Sequence, residues 1–371
     1  MTGSTQAKKS FGSVLTEGLL SILLVLVISA ACIAPFDHDT FVDWVGLAFL
    51  AATATQVILG LLWDNNKPEA VGQLSQPAKG LALTSITILM GAIVFALVMY
   101  LVGGGHGSSP MVTQYFIMSV VVVIWVVSIW ECWPLTLLSK DPVIIGVLTL
   151  IYAYLLAYVL WTIFFDYSIL GQMGQPDYHE DIDPKGLFGM WTAAIFFVTA
   201  VGIIVVHFLF DLWPIDKLTK GAKQPFRGLI ATLYILALTW LVQTIFIGAL
   251  GMAPVEYMVR VPVCMIFGTF LVSNMMQFSL FSDRQQPIKG LLLLVCAVVA
   301  AMLVYELYRW ASVLHTGGEL ATGPSGGFAQ EIWIASAMLG VTFPIIFMVS
   351  GFFGFWPILR TDDQSIADQK R

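Results

Sequence analysis

Ten stretches of apolar residues follow one another along this 371-residue chain. Each is about as long as a helix must be to cross the hydrocarbon core of a bilayer, roughly 20 residues. They run over 14–34, 43–63, 80–103, 112–134, 143–165, 188–213, 227–249, 260–281, 288–312 and 331–357, with short polar connections between them. The expected fold class is an all-α polytopic integral membrane protein forming a single transmembrane domain over 1–371, with a short tail at 358–371.

A phrase recurs at the joints. It reads Gln76-Pro77-Ala78-Lys79-Gly80-Leu81, Gln224-Pro225-Phe226-Arg227-Gly228-Leu229 and Gln286-Pro287-Ile288-Lys289-Gly290-Leu291, with a looser copy at Asp141-Pro142-Val143-Ile144-Ile145-Gly146. Before each copy the preceding span closes on an aromatic residue: Trp63, Trp133-Pro134, Trp213-Pro214 or Phe281, and Trp356-Pro357 closes the last span. Tryptophan favours the interface, proline stops a helix or opens the next, and the glycine lets helices approach closely. Internal repetition at this spacing predicts two-helix hairpin units at about 43–103, 112–165, 188–249 and 260–312. The span at 14–34 is then an unpaired starter and 331–357 a terminal half-unit.

Composition agrees: 58% of residues are hydrophobic and 11% charged, against about 25% charged in soluble domains. A net charge of −6 gives no footing for nucleic acid. Lys8, Lys9, Lys67, Lys79, Lys140, Lys217, Lys220, Lys223, Arg227, Arg284, Lys289, Arg360, Lys370 and Arg371 fall on one side of a ten-span chain. Lys185 and Arg260 fall on the other, and Arg309 inside a span. Lys and Arg gather in cytoplasmic loops, so both termini are expected in the cytoplasm and the protein in a plasma (inner) membrane. Lys8 and Lys9 ahead of a hydrophobic run ending Ser29-Ala30-Ala31-Cys32 superficially resemble a secretory signal, but the run is long and reads as an uncleaved first span.

Candidate chemistry is sought where the units differ. At the position of Asp211 the other units carry Leu61, Glu131, Ser279 and Gly354, and at that of His207 they carry Val57, Val127, Met275 and Ser350. His207 and Asp211, four apart, are expected on one helical face as a proton-linked pair, with Glu131 as a related acid; otherwise the acids pair with loop lysines such as Lys217. Ionisable residues inside a span are functional candidates by default. Glu306 and Arg309, three apart, are either a self-neutralising pair or gate and substrate contacts. Asn274 and Gln277 are uncharged candidates whose simpler role is hydrogen bonding between helices.

Four of the five histidines lie in loops on one side: His38, His106, His179 and His315. Histidine with carboxylate is metal-ligand chemistry, although none of these has the close spacing of a known metal motif. The acidic run from Asp177 to Asp183 reads as a solvated cap, and Cys32, Cys132, Cys264 and Cys296 as small packing residues. One intramembrane histidine is too few for a b-type haem, and no cofactor other than a loop-bound metal is expected. Three functions follow. The first is a permease for a small solute or ion, coupled to protons. The second is a membrane subunit of an enzyme complex that anchors a partner or holds a metal through the loop histidines. The third is a structural or assembly subunit. The expected partners are the lipid bilayer, a small solute or ion, and other copies or subunits of a membrane complex.

Overall fold

The computed structural model describes residues 11–276, 280–323 and 327–358. Gln277, Lys8, Lys9, Arg360, Lys370 and Arg371 lie outside the described residues. Among the described residues ten helices are long and apolar enough to span a membrane: α1 (Phe11–Ile33), α2 (His38–Leu62), α3 (Ala78–Leu101), α4 (Pro110–Ser128), α5 (Pro142–Phe164), α6 (Met190–Phe208), α7 (Phe226–Ala249), α8 (Pro254–Met275), α9 (Ile288–Thr316) and α10 (Ala329–Phe352). The protein is thus an all-α polytopic membrane protein.

The helices fall into two shells. The even-numbered helices close an inner ring in the order α2, α4, α6, α8, α10, with α10 returning to α2. The odd-numbered helices stand outside it. Of the most apolar stretch of each helix, 56–78% of residues are buried in the inner shell and 17–33% in the outer. The sequence encodes this split. Outer helices present Leu and Ile outward, such as Leu81, Ile88, Leu89 and Leu97 on α3, which suits hydrocarbon. Because lipid is as apolar as leucine, association rests on close packing of small residues. Ala153 and Ala157 of α5 are fully buried, and a Cβ on Gly91 of α3 would meet Ala52 of α2 at 2.8 Å. Between α8 and α10, Phe270 packs on Phe343 and Phe347 with ring centroids 4.8 and 5.2 Å apart.

Each outer helix also leans on a second inner neighbour: α3 on α10, α5 on α2, and α1 on both α10 and α8. Trp125 of α4 reaches Thr232 of α7 by an Nε1–H donated to Oγ1 at 3.1 Å. The expected unpaired starter therefore has a place. It packs where an outer partner of α10 would stand, so that the first and last spans complete one another in space. Glu17-Gly18-Leu19 matches Lys79-Gly80-Leu81 in this slot, and a Cβ on Gly18 would overlap Met276.

The joints explain the recurring phrase. In its three close copies the glutamine does two things at once. Its Oε1 accepts from the glycine N–H four residues on (Gly80 3.2 Å, Gly228 3.0 Å, Gly290 3.0 Å), satisfying an amide that the helix start leaves without a partner. Its Nε2 donates to a carbonyl at the end of a neighbouring inner helix: Gln76 to Phe352 at 2.7 Å, Gln224 to Ile129 at 3.1 Å, Gln286 to Leu209 at 3.1 Å. The glycines lie under aromatic rings, Gly80 under Phe353, Gly228 under Trp130 and Gly290 under Phe210, while Gly146 of the loose copy lies under Trp63. Proline sits at the cap position of α3, α7 and α9, one residue before the helix, rather than inside its first turn.

Several inner helices end earlier than the apolar pattern predicts: α4 at Ser128, α6 at Phe208, α8 at Met275 and α10 at Phe352. The residues beyond them, apolar as they are, turn back through left-handed backbone at Glu131, Cys132, Asp211, Leu212, Phe281, Gly354 and Phe355. At the other end α2 and α8 begin earlier than expected, at His38 and Pro254. Here the chain is polar enough to hide a first turn from a hydropathy pattern. Widened turns interrupt α2, α7, α8 and α10, for example over Ser336–Thr342.

Candidate functional site

The residues singled out by sequence sort onto two faces. On the face that carries the glutamine joints, the expected His207–Asp211 pair does not form. Helix α6 stops at Phe208, and Asp211 lies in the turn beyond it with φ 51°, so four-residue spacing no longer means one helical face. His207 is buried. Its Nδ1–H donates to the Ile203 carbonyl at 2.7 Å, and Nε2 accepts from the Tyr234 hydroxyl at 3.2 Å. Asp211 instead pairs with Lys289 at 3.1 Å and accepts from Gln286 at 2.8 Å. Glu131 pairs with Arg227, which also holds Asp216 at 2.8 Å. The acids thus meet the basic residue of the recurring phrase, not Lys217, whose ammonium lies 6.0 Å from the Trp213 ring. Asn274 donates to Ser350 at 3.5 Å, joining α8 to α10.

Glu306 and Arg309 form an ion pair at 2.8 Å on the outside of α9, with side chains 60% and 53% exposed. At 1.5 Å per residue they stand about 27 and 32 Å from the start of that helix, against a hydrocarbon core about 30 Å thick. Near them Arg260 pairs with Glu256 at 2.9 Å and lies 4.9 Å from the Tyr305 ring.

The opposite face gathers chemistry in one place. The loop from α3 to α4 carries His106 among Gly103, Gly104, Gly105 and Gly107, and the last three have positive φ. Only glycine adopts such backbone freely, and the loop turns sharply enough to bring His106 over the α5–α6 connection. That connection is stiffened at its base by a two-residue parallel pairing, Phe165 with Phe188 and Asp166 with Gly189. It is organised around Asp183, which is buried. Asp183 Oδ1 accepts from the amides of Tyr167 (3.2 Å) and Lys185 (3.0 Å), and Oδ2 accepts from the Tyr178 hydroxyl at 3.0 Å. Lys185 holds Glu180 at 2.7 Å, which lowers the glutamate's pKa and raises the lysine's.

So fixed, the connection presents His179 and Asp181 to His106. The two imidazoles stack with centroids 4.0 Å apart and planes 10° from parallel, and His106 Nε2–H donates to Asp181 Oδ2 at 2.8 Å. That hydrogen bond holds the Asp181 carboxyl below the usual carboxylate range. One ligand atom from each of His106, His179 and Asp181 falls within 4.8 Å of the others. Two imidazoles and a carboxylate at this separation suit a borderline divalent ion such as zinc, with nitrogen and oxygen bonds of about 2.0–2.2 Å. Parallel rings send their in-plane lone pairs side by side, so gripping one ion requires one imidazole to swing. The four glycines leave that freedom to His106.

The other two loop histidines lie elsewhere. His315 has both nitrogens engaged, Nε2–H donating to the Phe36 carbonyl at 2.9 Å and Nδ1 accepting from Trp333 Nε1–H at 3.1 Å. His38 lies in the first turn of α2. The acidic run, expected as a solvated cap, thus ends in a buried, fully engaged Asp183. The available signal was the Asp183-Pro184-Lys185-Gly186 turn, where an aspartate commonly accepts from amides two residues on. Comparison with known protein families, with curated proteins and with solved structures finds no match.

Proposed function

We propose that this integral membrane protein holds a divalent transition-metal ion on the face of its helix bundle that carries the loop histidines, and that it serves as a membrane-anchored metal-site subunit. The observation that carries the reading is the meeting of His106 with His179 and Asp181, from loops more than seventy positions apart in sequence, within 4.8 Å. Two further features support it. The loop bearing two of the donors is held by a buried aspartate, and such outer supports are what keep metal ligands aligned. The helices beneath form a closed ring, a rigid platform for a site on loops. The Lys and Arg excess on the glutamine-joint face supports cytoplasmic termini and, with them, a site on the far side of a plasma (inner) membrane. The recurring joints support an origin by duplication of a helical hairpin.

Purified protein should retain close to one zinc ion per chain after equilibrium dialysis, and His106→Ala with His179→Ala should retain none while keeping the wild-type elution volume. Equal retention by both would sink the proposal. A permease is the second reading, favoured by buried His207 with its half-buried partner Tyr234 and by Gln56 and Asn65, whose side-chain carbonyls are buried without a partner. It predicts solute uptake that depends on His207, and no stoichiometric metal.

A further inference from the structure

We propose that the ion held by His106, His179 and Asp181 keeps a coordination position open toward water, and that this position takes a neutral nitrogen donor, such as an imidazole or amine, in preference to an anion. This rests on the metal reading above and adds to it the class of ligand that the bound ion exchanges.

The first step is donor supply. A zinc-like ion takes four ligands, and sites closed by four protein donors are structural, whereas those with three leave one place for an outside ligand. Among the described residues the group contains three donors and no fourth. On the α5–α6 connection Glu180 is held by Lys185 and Asp183 by three hydrogen bonds, and Asp177 stands outside the group. The site also opens outward, with the His106 and Asp181 side chains 34% and 64% exposed.

The second step is charge. The start of α2 borders the loop that carries His106. The Trp44 ring lies 3.9 Å from where a Cβ on Gly107, the neighbour of His106, would stand. Asp43 immediately precedes Trp44, Asp39 lies one helical turn before Asp43, and Asp177 precedes His179 by two residues. Among the described residues no Lys or Arg pairs with Asp39, Asp43 or Asp177. A dication bound through one carboxylate keeps a single positive charge, which these three carboxylates outnumber. A clustered field of one sign attracts cations and repels anions, so an entering anion is disfavoured while a neutral nitrogen donor is indifferent to it.

Cobalt(II) is the probe, because its visible absorption reports the ligands around it. The full-length protein in detergent is loaded with cobalt and titrated with imidazole or with azide. Both should alter the spectrum, imidazole at the lower concentration. Replacing the exposed Asp39 and Asp177 by Asn should tighten azide about threefold or more, as removal of two like charges beside the entry requires, and leave imidazole unchanged. Raised salt should do the same to the wild type by screening. A cobalt spectrum indifferent to both ligands would show a position closed by the protein and overturn this inference while the metal reading stands. Azide binding unchanged by Asp39→Asn with Asp177→Asn would overturn the selectivity. Failure to bind cobalt at all would remove both.

Discussion

The two faces of this bundle use the same residue types to opposite ends. On the glutamine-joint face, charge is spread around the ring and spent on holding helices together: Glu131 with Arg227, Asp211 with Lys289, each beside a glutamine that caps one helix and clasps another. On the other face, His106, His179 and Asp181 converge between two loops, with no equivalent at the remaining connections among the described residues. Where a polar arrangement recurs at several joints, it answers a need that those joints share. Where it occurs once, on loops over a rigid scaffold, it is a candidate for function.

The sharpest way to break this contrast is to exchange the expected losses. His106→Ala should weaken zinc binding by 100-fold or more, since a site of three donors cannot lose one cheaply, and should leave thermal stability in detergent close to wild type. Arg227→Gln should leave zinc affinity within twofold. Zinc affinity that fell with Arg227 and not with His106 would reverse the roles assigned to the two faces.

Next in size is the joint itself. Gly290→Val would place a branched side chain into the Phe210 ring, and overpacking of this kind costs about 1–3 kcal/mol. The protein should aggregate at a lower temperature in detergent while any folded fraction binds zinc normally. A variant as stable as wild type would mean that this close approach between α9 and the end of α6 is not a required contact.

Asp183 tests how far the loop site depends on its support. Asp183→Asn keeps the size and one acceptor of the side chain but loses the charge that two amides and the Tyr178 hydroxyl share. Loss of an outer support typically costs 10–100-fold in metal affinity, and about tenfold is expected here, read by competition with a chromogenic chelator. An unchanged affinity would reduce the α5–α6 connection to a passive carrier of His179 and Asp181.

What the sequence made legible follows from what is local. Ten apolar runs became ten helices, since crossing hydrocarbon obliges a chain to satisfy its backbone within the segment. The phrase Gln-Pro-x-Lys/Arg-Gly-Leu was visible, but the role of its glutamine was not, because the carbonyls it reaches lie more than seventy positions away. The place of α1 was hidden for the same reason, being defined by α8 and α10 at the far end of the chain. The His207–Asp211 pairing failed for a different cause. Helical spacing was extended past Phe208, where the chain had already turned through left-handed backbone. The loop histidines were legible as a set of four. Which two meet depended on a glycine-rich turn and a buried aspartate, and neither leaves a periodic mark.

The smallest effect is expected at the most conspicuous charges. Glu306 and Arg309 stand out in an apolar span and invite a functional role, yet their side chains are more than half exposed and they satisfy each other across three residues of α9. Pairs at this spacing on a helix surface contribute about 0.2–0.5 kcal/mol, and this close to the helix end a long side chain left without its partner can snorkel to the interface. Glu306→Gln and Arg309→Gln, alone and together, should therefore shift thermal stability by no more than this and leave zinc affinity unchanged, with a double-mutant cycle giving a coupling within the same range. A loss of zinc binding from either variant would mean that the metal face extends from the α5–α6 connection across to α9. A coupling above about 1 kcal/mol would mean that the pair is shielded from solvent, contrary to its exposure on the helix.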